Sequence, residues 1–210
     1  AVPLLFSGTG GGFTGVLPIG GAMVVAGSVN DQTVFGLTFT ANPARPFDTN
    51  FQTKVSAAIR GMPIFNSASG MSFAASDNQL HSMSTTGTDS LIAPVISPGG
   101  TPLLGHDGIT YLGRSNALRA VKPDGTLAWE MAIPGNVIAA PTLDCKGTLY
   151  AAAGNVVYAI ITDMAGDPNN AGLADTPWPK FQRDSRNTGN ADITTKFGVR
   201  TGPGPGGCTQ

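Results

Sequence analysis

Charge is scarce in this chain. Asp, Glu, Lys and Arg make up 12% of its 210 residues, about half the share of an average globular domain. There is one glutamate, Glu130, and there are two histidines, His81 and His106. A net charge of −1 supplies no broad field for nucleic acid or an anionic membrane. Five cations, Lys180, Arg183, Arg186, Lys196 and Arg200, face two anions, Asp184 and Asp192, near the C-terminal end. No aromatic ladder interleaves them, so the strip reads as solvated surface and no nucleic-acid partner is expected. No apolar run approaches the roughly 18 residues of a membrane span; the longest, Val156 to Ile161, has the length of a strand. No stretch of about 10 residues or more repeats apolar positions every 3.6, so helix is expected to be scarce.

The vocabulary of catalysis is equally thin. Gly10-Gly11-Gly12-Phe13-Thr14-Gly15 fits the dinucleotide fingerprint in letters, but that motif must open a helix, and Pro18, Gly20 and Gly21 follow it instead. It reads as a Gly-rich turn. Neither Gly-x-Ser-x-Gly nor His-Glu-x-x-His occurs. Asp77, Asp107, Asp124 and Asp144 stand in turn sequences, where the side chain caps nearby backbone N–H groups. Asp163, Asp167, Asn169, Asn170 and Asp175 crowd oxygen atoms into one loop, but their spacing fits no calcium-loop motif and Pro168 interrupts it, so a solvated turn is expected and no metal. His106 reads as turn-forming, and Tyr111, Tyr150 and Tyr158 as packing residues first.

Cysteine is nearly absent too. Cys145 and Cys208 lack the spacing of a metal site. A disulfide between them would tie the tail to the turn at Asp144-Cys145-Lys146-Gly147 and suit an exported protein; two free thiols are the alternative reading. The sequence opens at Ala1 without a basic leader, which suits either a processed signal or a piece of a longer chain.

What is abundant is turn-forming residues, 29 Gly and 16 Pro, and a repeat. Thr101-Pro102-Leu103, Asp107-Gly108-Ile109-Thr110-Tyr111 and Asn116-Ala117-Leu118 recur 39 residues later as Ala140-Pro141-Thr142, Lys146-Gly147-Thr148-Leu149-Tyr150 and Asn155-Val156-Val157. Met62-Pro63-Ile64, Ser69-Gly70-Met71 and Asn78-Gln79-Leu80 repeat the block upstream. A hairpin-bearing period near 40 residues is the signature of propeller blades. The expected fold is all-β: a β-propeller of four-stranded antiparallel blades, four to five of them, forming part of a larger ring. One blade is expected as strands at Ile109–Gly113, Ala117–Val121, Thr126–Ile133 and Val137–Leu143. Degenerate blades are expected over 1–60, with residues 1–16 as outer strands. Regular blades fill 61–161, a long surface loop 162–177, a closure segment 178–197 and a flexible Gly/Pro tail 198–210.

Ala117-Leu118-Arg119-Ala120-Val121 followed by Gly125-Thr126-Leu127-Ala128-Trp129 resembles the docking pattern of the PQQ-like (BamB-like, quinoprotein-type) propeller repeats of bacteria. Val157-Tyr158-Ala159-Ile160 resembles its first half. The resemblance implies that Trp129 staples one blade to a neighbour's glycine turn, with Gly125 in such a turn. Trp178-Pro179-Lys180-Phe181 through Thr188-Gly189 resembles a segment at propeller ends, so Trp178 and Phe181 are expected in ring closure or in the last blade's outer strand. For function the resemblance implies a non-catalytic scaffold without cofactor, in the periplasm, at the cell surface or outside. Its partners would be other proteins, the remainder of the ring or further copies of itself. The alternative it implies is a quinone-dependent dehydrogenase, or another enzyme, with its active residues on a missing N-terminal part.

Overall fold

The computed structural model describes residues 13–19, 22–28, 32–40, 42, 44, 47–66, 70–94, 98–137, 139–167, 171–176 and 179–181. Among them there is no helix, and every regular element is a strand. The first sheet is a meander of β1 (Phe13–Ile19), β2 (Ala22–Ser28), β3 (Thr33–Phe39) and β4 (Phe47–Lys54). The second is β5 (Ile59–Phe65), β6 (Gly70–Ala75), β7 (Gln79–Ser84) and β8 (Asp89–Pro94). The third is β9 (Pro98–Leu104), β10 (Thr110–Arg114), β11 (Ala117–Val121) and β12 (Leu127–Ala132). The fourth has three strands, β13 (Thr142–Leu143), β14 (Thr148–Ala153) and β15 (Val156–Ile161).

The sheets stack face on face. Val34 and Phe51 of the first meet Ile59, Phe65, Met71 and Phe73 of the second. Ala74, Leu80, Ala93 and Ile92 of the second meet Leu112 and Val121 of the third. Leu103, Tyr111, Leu118 and Ala120 of the third meet Leu149, Ala151, Ala153 and Ile160 of the fourth. A sheet with neighbours on both sides must be apolar on both, and β6 and β10 are buried at nearly every position. In the terminal sheet burial alternates instead: Leu149, Ala151 and Ala153 of β14 are buried while Thr148, Tyr150 and Ala152 are not. The first strands of successive sheets also lie against each other, β1 on β5 and β5 on β9, where the Met62 N–H donates to Thr101 Oγ1 at 2.7 Å.

Three expectations need correction. The third sheet begins one strand earlier than its period suggests: Pro98–Leu104 is its first strand, and Val137–Leu143 is a crossover of which only Thr142–Leu143 pairs, in the next sheet. Pro98-Gly99-Gly100 disguises β9, yet these residues are tolerated because only one of its edges pairs within the sheet. Residues 13–16, expected in an outer strand, belong to β1, which packs on β5 at the inner side of the stack. The expected surface loop after β15 is not all surface. Ala171, Leu173 and Ala174 are buried beside the end of β9, with Gly105 and Leu173 forming a β-bridge.

Candidate interaction surface

The turn aspartates do what their sequence context suggests. Asp77 Oδ1 accepts the Gln79 N–H, Asp107 Oδ1 that of Ile109, Asp124 Oδ1 that of Thr126 and Asp144 Oδ1 that of Lys146. Side-chain and backbone hydrogen bonds from Thr126 hold the Asp124 carboxyl below its ordinary value. Asp107 is pushed the other way. Burial raises its carboxyl, outweighing the Ile109 N–H and the Tyr111 hydroxyl, which donates to Asp107 Oδ2 at 3.0 Å. Burial, together with the Asp107 charge, also pushes the Tyr111 phenol up. Tyr150 repeats the arrangement, donating to Asp144 Oδ2 at 3.3 Å.

His81 is fully buried between two carboxylates, with Nε2 3.1 Å from Asp77 and Nδ1 3.0 Å from Asp89. Its ring stacks on Phe73, centroids 5.0 Å apart and planes within 7°. Carboxylates only accept, so the geometry asks both ring nitrogens to donate. Ser56, on the link between the first two sheets, donates its hydroxyl to Asp77 rather than to the imidazole. Burial opposes ionisation of Asp77, but the Ser56 hydrogen bond and the His81 charge outweigh it and hold the carboxyl low. Serine, histidine and aspartate therefore meet, but not in the order of a nucleophile and its base, in which the serine hydroxyl would hydrogen-bond to the imidazole. The cluster ties β7, β8 and the inter-sheet link together. Sequence reading placed His81 only near a turn; the Asp77-to-His81 spacing of four was the available signal.

The residues singled out as docking elements fall at sheet boundaries. Gly125 lies in the turn between β11 and β12 with φ of +84°, its Cα directed at the Ile92 carbonyl of β8. Trp129, on β12, is partly buried against the core between the third and fourth sheets. Its ring lies 5.8 Å from that of Tyr111. Trp129 and Met131 form a row on β12, pairing with Ala120 and Leu118, which face the fourth sheet; a bulge sets Leu127 opposite Val121, which packs toward the second. Leu127 and Met131 are nevertheless 50% and 42% exposed. A groove of about 460 Å³ runs between this row and β15, lined by Trp129, Met131, Ile160, Ile161 and Asp163.

Of the closure segment, Pro179 lies against β9, its carbonyl accepting the Leu104 N–H at 2.8 Å. Lys180 is buried, in contrast to the solvated strip expected there, and donates to the Phe181 carbonyl. Phe181 is exposed. Trp178 and Cys208 lie outside the described residues, and with Cys208 the disulfide to Cys145. Asp163 and Asp167 line a second cavity of about 430 Å³ with His106, Asp107 and Met164. Among the described residues, no group of three or more such side chains has the arrangement of a metal site.

The outward face of the fourth sheet is an exposed apolar surface. The cross-strand pairs Thr148–Ile161, Tyr150–Ala159 and Ala152–Val157 place these residues on one side, away from the third sheet. Val157 is 69% exposed and Ile161 78%. The repeat gives this face its meaning. Tyr150, Val157 and Ala159 stand 39 residues after Tyr111, Leu118 and Ala120, which the third sheet buries against the fourth. The terminal sheet therefore presents a stacking face with nothing stacked on it among the described residues. It also carries no charged side chain.

No family model matches the chain, and no curated protein matches it in sequence. Solved structures do match in shape. The WD40 β-propeller domain of Doa1 aligns with a TM-score of 0.57 at 9% identity, over 72% of this chain and 51% of that one. The fold is that of a partial β-propeller. BamB from Moraxella catarrhalis aligns at 0.53 and 17% identity, over 73% of this chain and 48% of that one. The computationally designed protein Ika4 aligns at 0.57 and 11% identity, over 75% of this chain and 95% of that one. At these identities the likeness is one of fold, not of activity. This propeller chain spans about half the length of the Doa1 and BamB chains. Its four sheets are blades. Among the described residues, no helix is long and apolar enough to cross a membrane.

Proposed function

We propose that this chain is a non-catalytic scaffold of the PQQ-like repeat class, exported from the cell, that docks a protein through the outward face of its fourth blade. The observation carrying this reading is the exposure of Val157, Ala159 and Ile161 on the side of a sheet whose preceding repeat buries the matching positions. An exposed apolar patch of this kind marks an interaction site. Rigidity comes from the three buried inter-blade cores, which hold the face in one shape and lower the ordering cost of binding. The absence of catalysis is supported by the chemistry of the polar groups: the turn aspartates are occupied with backbone caps and His81 with two carboxylates. A Cys145–Cys208 disulfide, the pairing expected from the sequence, would suit export and would fix the tail to the turn before β14. Alkylation without reductant that modifies Cys145 would remove that support.

A photo-crosslinking residue at position 157 tests the docking face in the cells that make the protein. A discrete protein adduct is expected from position 157 and none from position 122, an exposed lysine in the turn after β11. Equal labelling at both positions, or none at 157, would contradict the reading.

A further inference from the structure

After β15 the chain turns back across the third and second blades. Ala171-Gly172-Leu173-Ala174-Asp175-Thr176 runs antiparallel to the end of β9, with Leu173 opposite Gly105. β9 is an edge strand, bonded within its sheet to β10 alone. Successive residues of a strand turn their backbone groups to opposite sides. The Gly105 N–H turns to the Ile109 carbonyl at the start of β10, while Leu104 and His106 turn the other way, to this strap. The His106 N–H donates to the Gly172 carbonyl at 2.9 Å, and the Leu104 carbonyl accepts the Ala174 N–H at 3.1 Å. The Leu104 N–H is taken by Pro179.

The second blade offers the same groups. Phe65 stands 39 residues before Leu104, and the Asn66 N–H turns to Gly70 as that of Gly105 turns to Ile109. The Phe65 carbonyl is thus directed to the strap, where it accepts the Thr176 hydroxyl at 2.8 Å. Between the two anchors, Ala174 packs with Ile64 of β5 and Leu104 of β9. One short segment therefore reads two repeats of one edge, through a small apolar residue and a hydroxyl two positions later.

Opposing terms act on this contact. The strap buries Ala171, Leu173 and Ala174, but two of these are alanines, which remove little apolar area from water. It also buries Lys180, 2% exposed, and taking a charge out of water is costly. The Lys180 ammonium donates to the carbonyl of its neighbour Phe181, a bond that release need not break while the charge returns to solvent. What holds the strap is chiefly its backbone pairing with β9, a kind of contact that any extended peptide can reproduce.

We propose that the strap is a tethered ligand on an edge site shared by the second and third blades. Once released, it leaves an edge that takes an extended peptide of the same pattern. Such a peptide supplies backbone groups to Leu104 and His106, a small apolar residue between Ile64 and Leu104, and a hydroxyl for the Phe65 carbonyl. The site shares no residue with the outward face of the fourth blade, so this proposal and the docking face fail separately.

Hydrogen–deuterium exchange on the full chain tests it, with Leu118 of the central strand β11 as the reference amide. In the wild type the amides of Leu104, His106 and Ala174 are expected to be at least roughly tenfold less protected than that of Leu118, because the strap opens without the blades. Ala174→Asp, which sets a charge between Ile64 and Leu104, is expected to lower protection at Leu104 and His106 by about tenfold more and to leave Leu118 unchanged. A synthetic peptide of sequence 171–176, added in excess to that variant, is expected to restore the lost protection. Equal protection of Leu118 and the strap-bonded amides in the wild type would overturn the proposal, whether or not the variant folds. So would a variant that loses protection at Leu104, His106 and Leu118 alike, or a peptide that restores none.

Discussion

Gly125→Ala is expected to lower stability by about 2–6 kcal/mol, the sum of two separate costs. At φ of +84° a side chain is strained by roughly 1–3 kcal/mol. The added Cβ would also lie 2.1 Å from the Ile92 carbonyl oxygen and 3.1 Å from its carbon. That neighbour is backbone of the second blade and cannot rotate away, so the two blades must part at this turn, an overpacking cost of roughly 1–3 kcal/mol. For a chain of this length each kcal/mol moves the melting temperature by about 2–4 °C, so a fall near 10 °C is expected. Gly154→Ala supplies the control. Gly154 also has positive φ, +57°, but nothing lies within 4 Å of its Cβ position, so only the backbone cost of about 1 kcal/mol applies. Chemical denaturation of the two variants compares them directly. Equal losses would mean that the turn at Gly125 does not press on β8, and the glycine-turn docking suggested by the repeat would fail with it.

This turn shows how far the sequence could be read. Lys122-Pro123-Asp124-Gly125 names its own conformation: proline sets φ, the aspartate caps Thr126, and glycine takes the left-handed position. Such local chemistry survives any tertiary context, which is why all four turn aspartates cap the backbone as expected. The 39-residue period was legible for the same reason, because each repeat solves the same packing problem. The phase of the blade was not. Pro98, Gly99, Gly100 and Pro102 lower the strand signal of β9, and only its place at the inner edge of the stack makes them acceptable. Burial of Ala171, Leu173 and Ala174 was illegible because it depends on contact with β9, some 70 residues earlier. For the interaction face the missed signal was a comparison. Tyr150 was classed as a packing residue from the repeat, and Val157 and Ala159 only as part of a repeat strand, but a repeat with no successor among the described residues exposes what its predecessors bury.

The same repeat position is core in the third blade and surface in the fourth. Leu118→Asp and Val157→Asp test it as a pair, 39 residues apart, by chemical denaturation at a concentration low enough that assembly adds no stability. Leu118 is fully buried, and an aspartate there leaves a charge without a partner in the inter-blade core, so a loss of about 4 kcal/mol or more, or failure to fold, is expected. At position 157 the same substitution enters a side chain that is 69% exposed, and a change within about 1 kcal/mol is expected. Comparable losses at the two positions would contradict the account, because the outward face of the fourth blade would then be core.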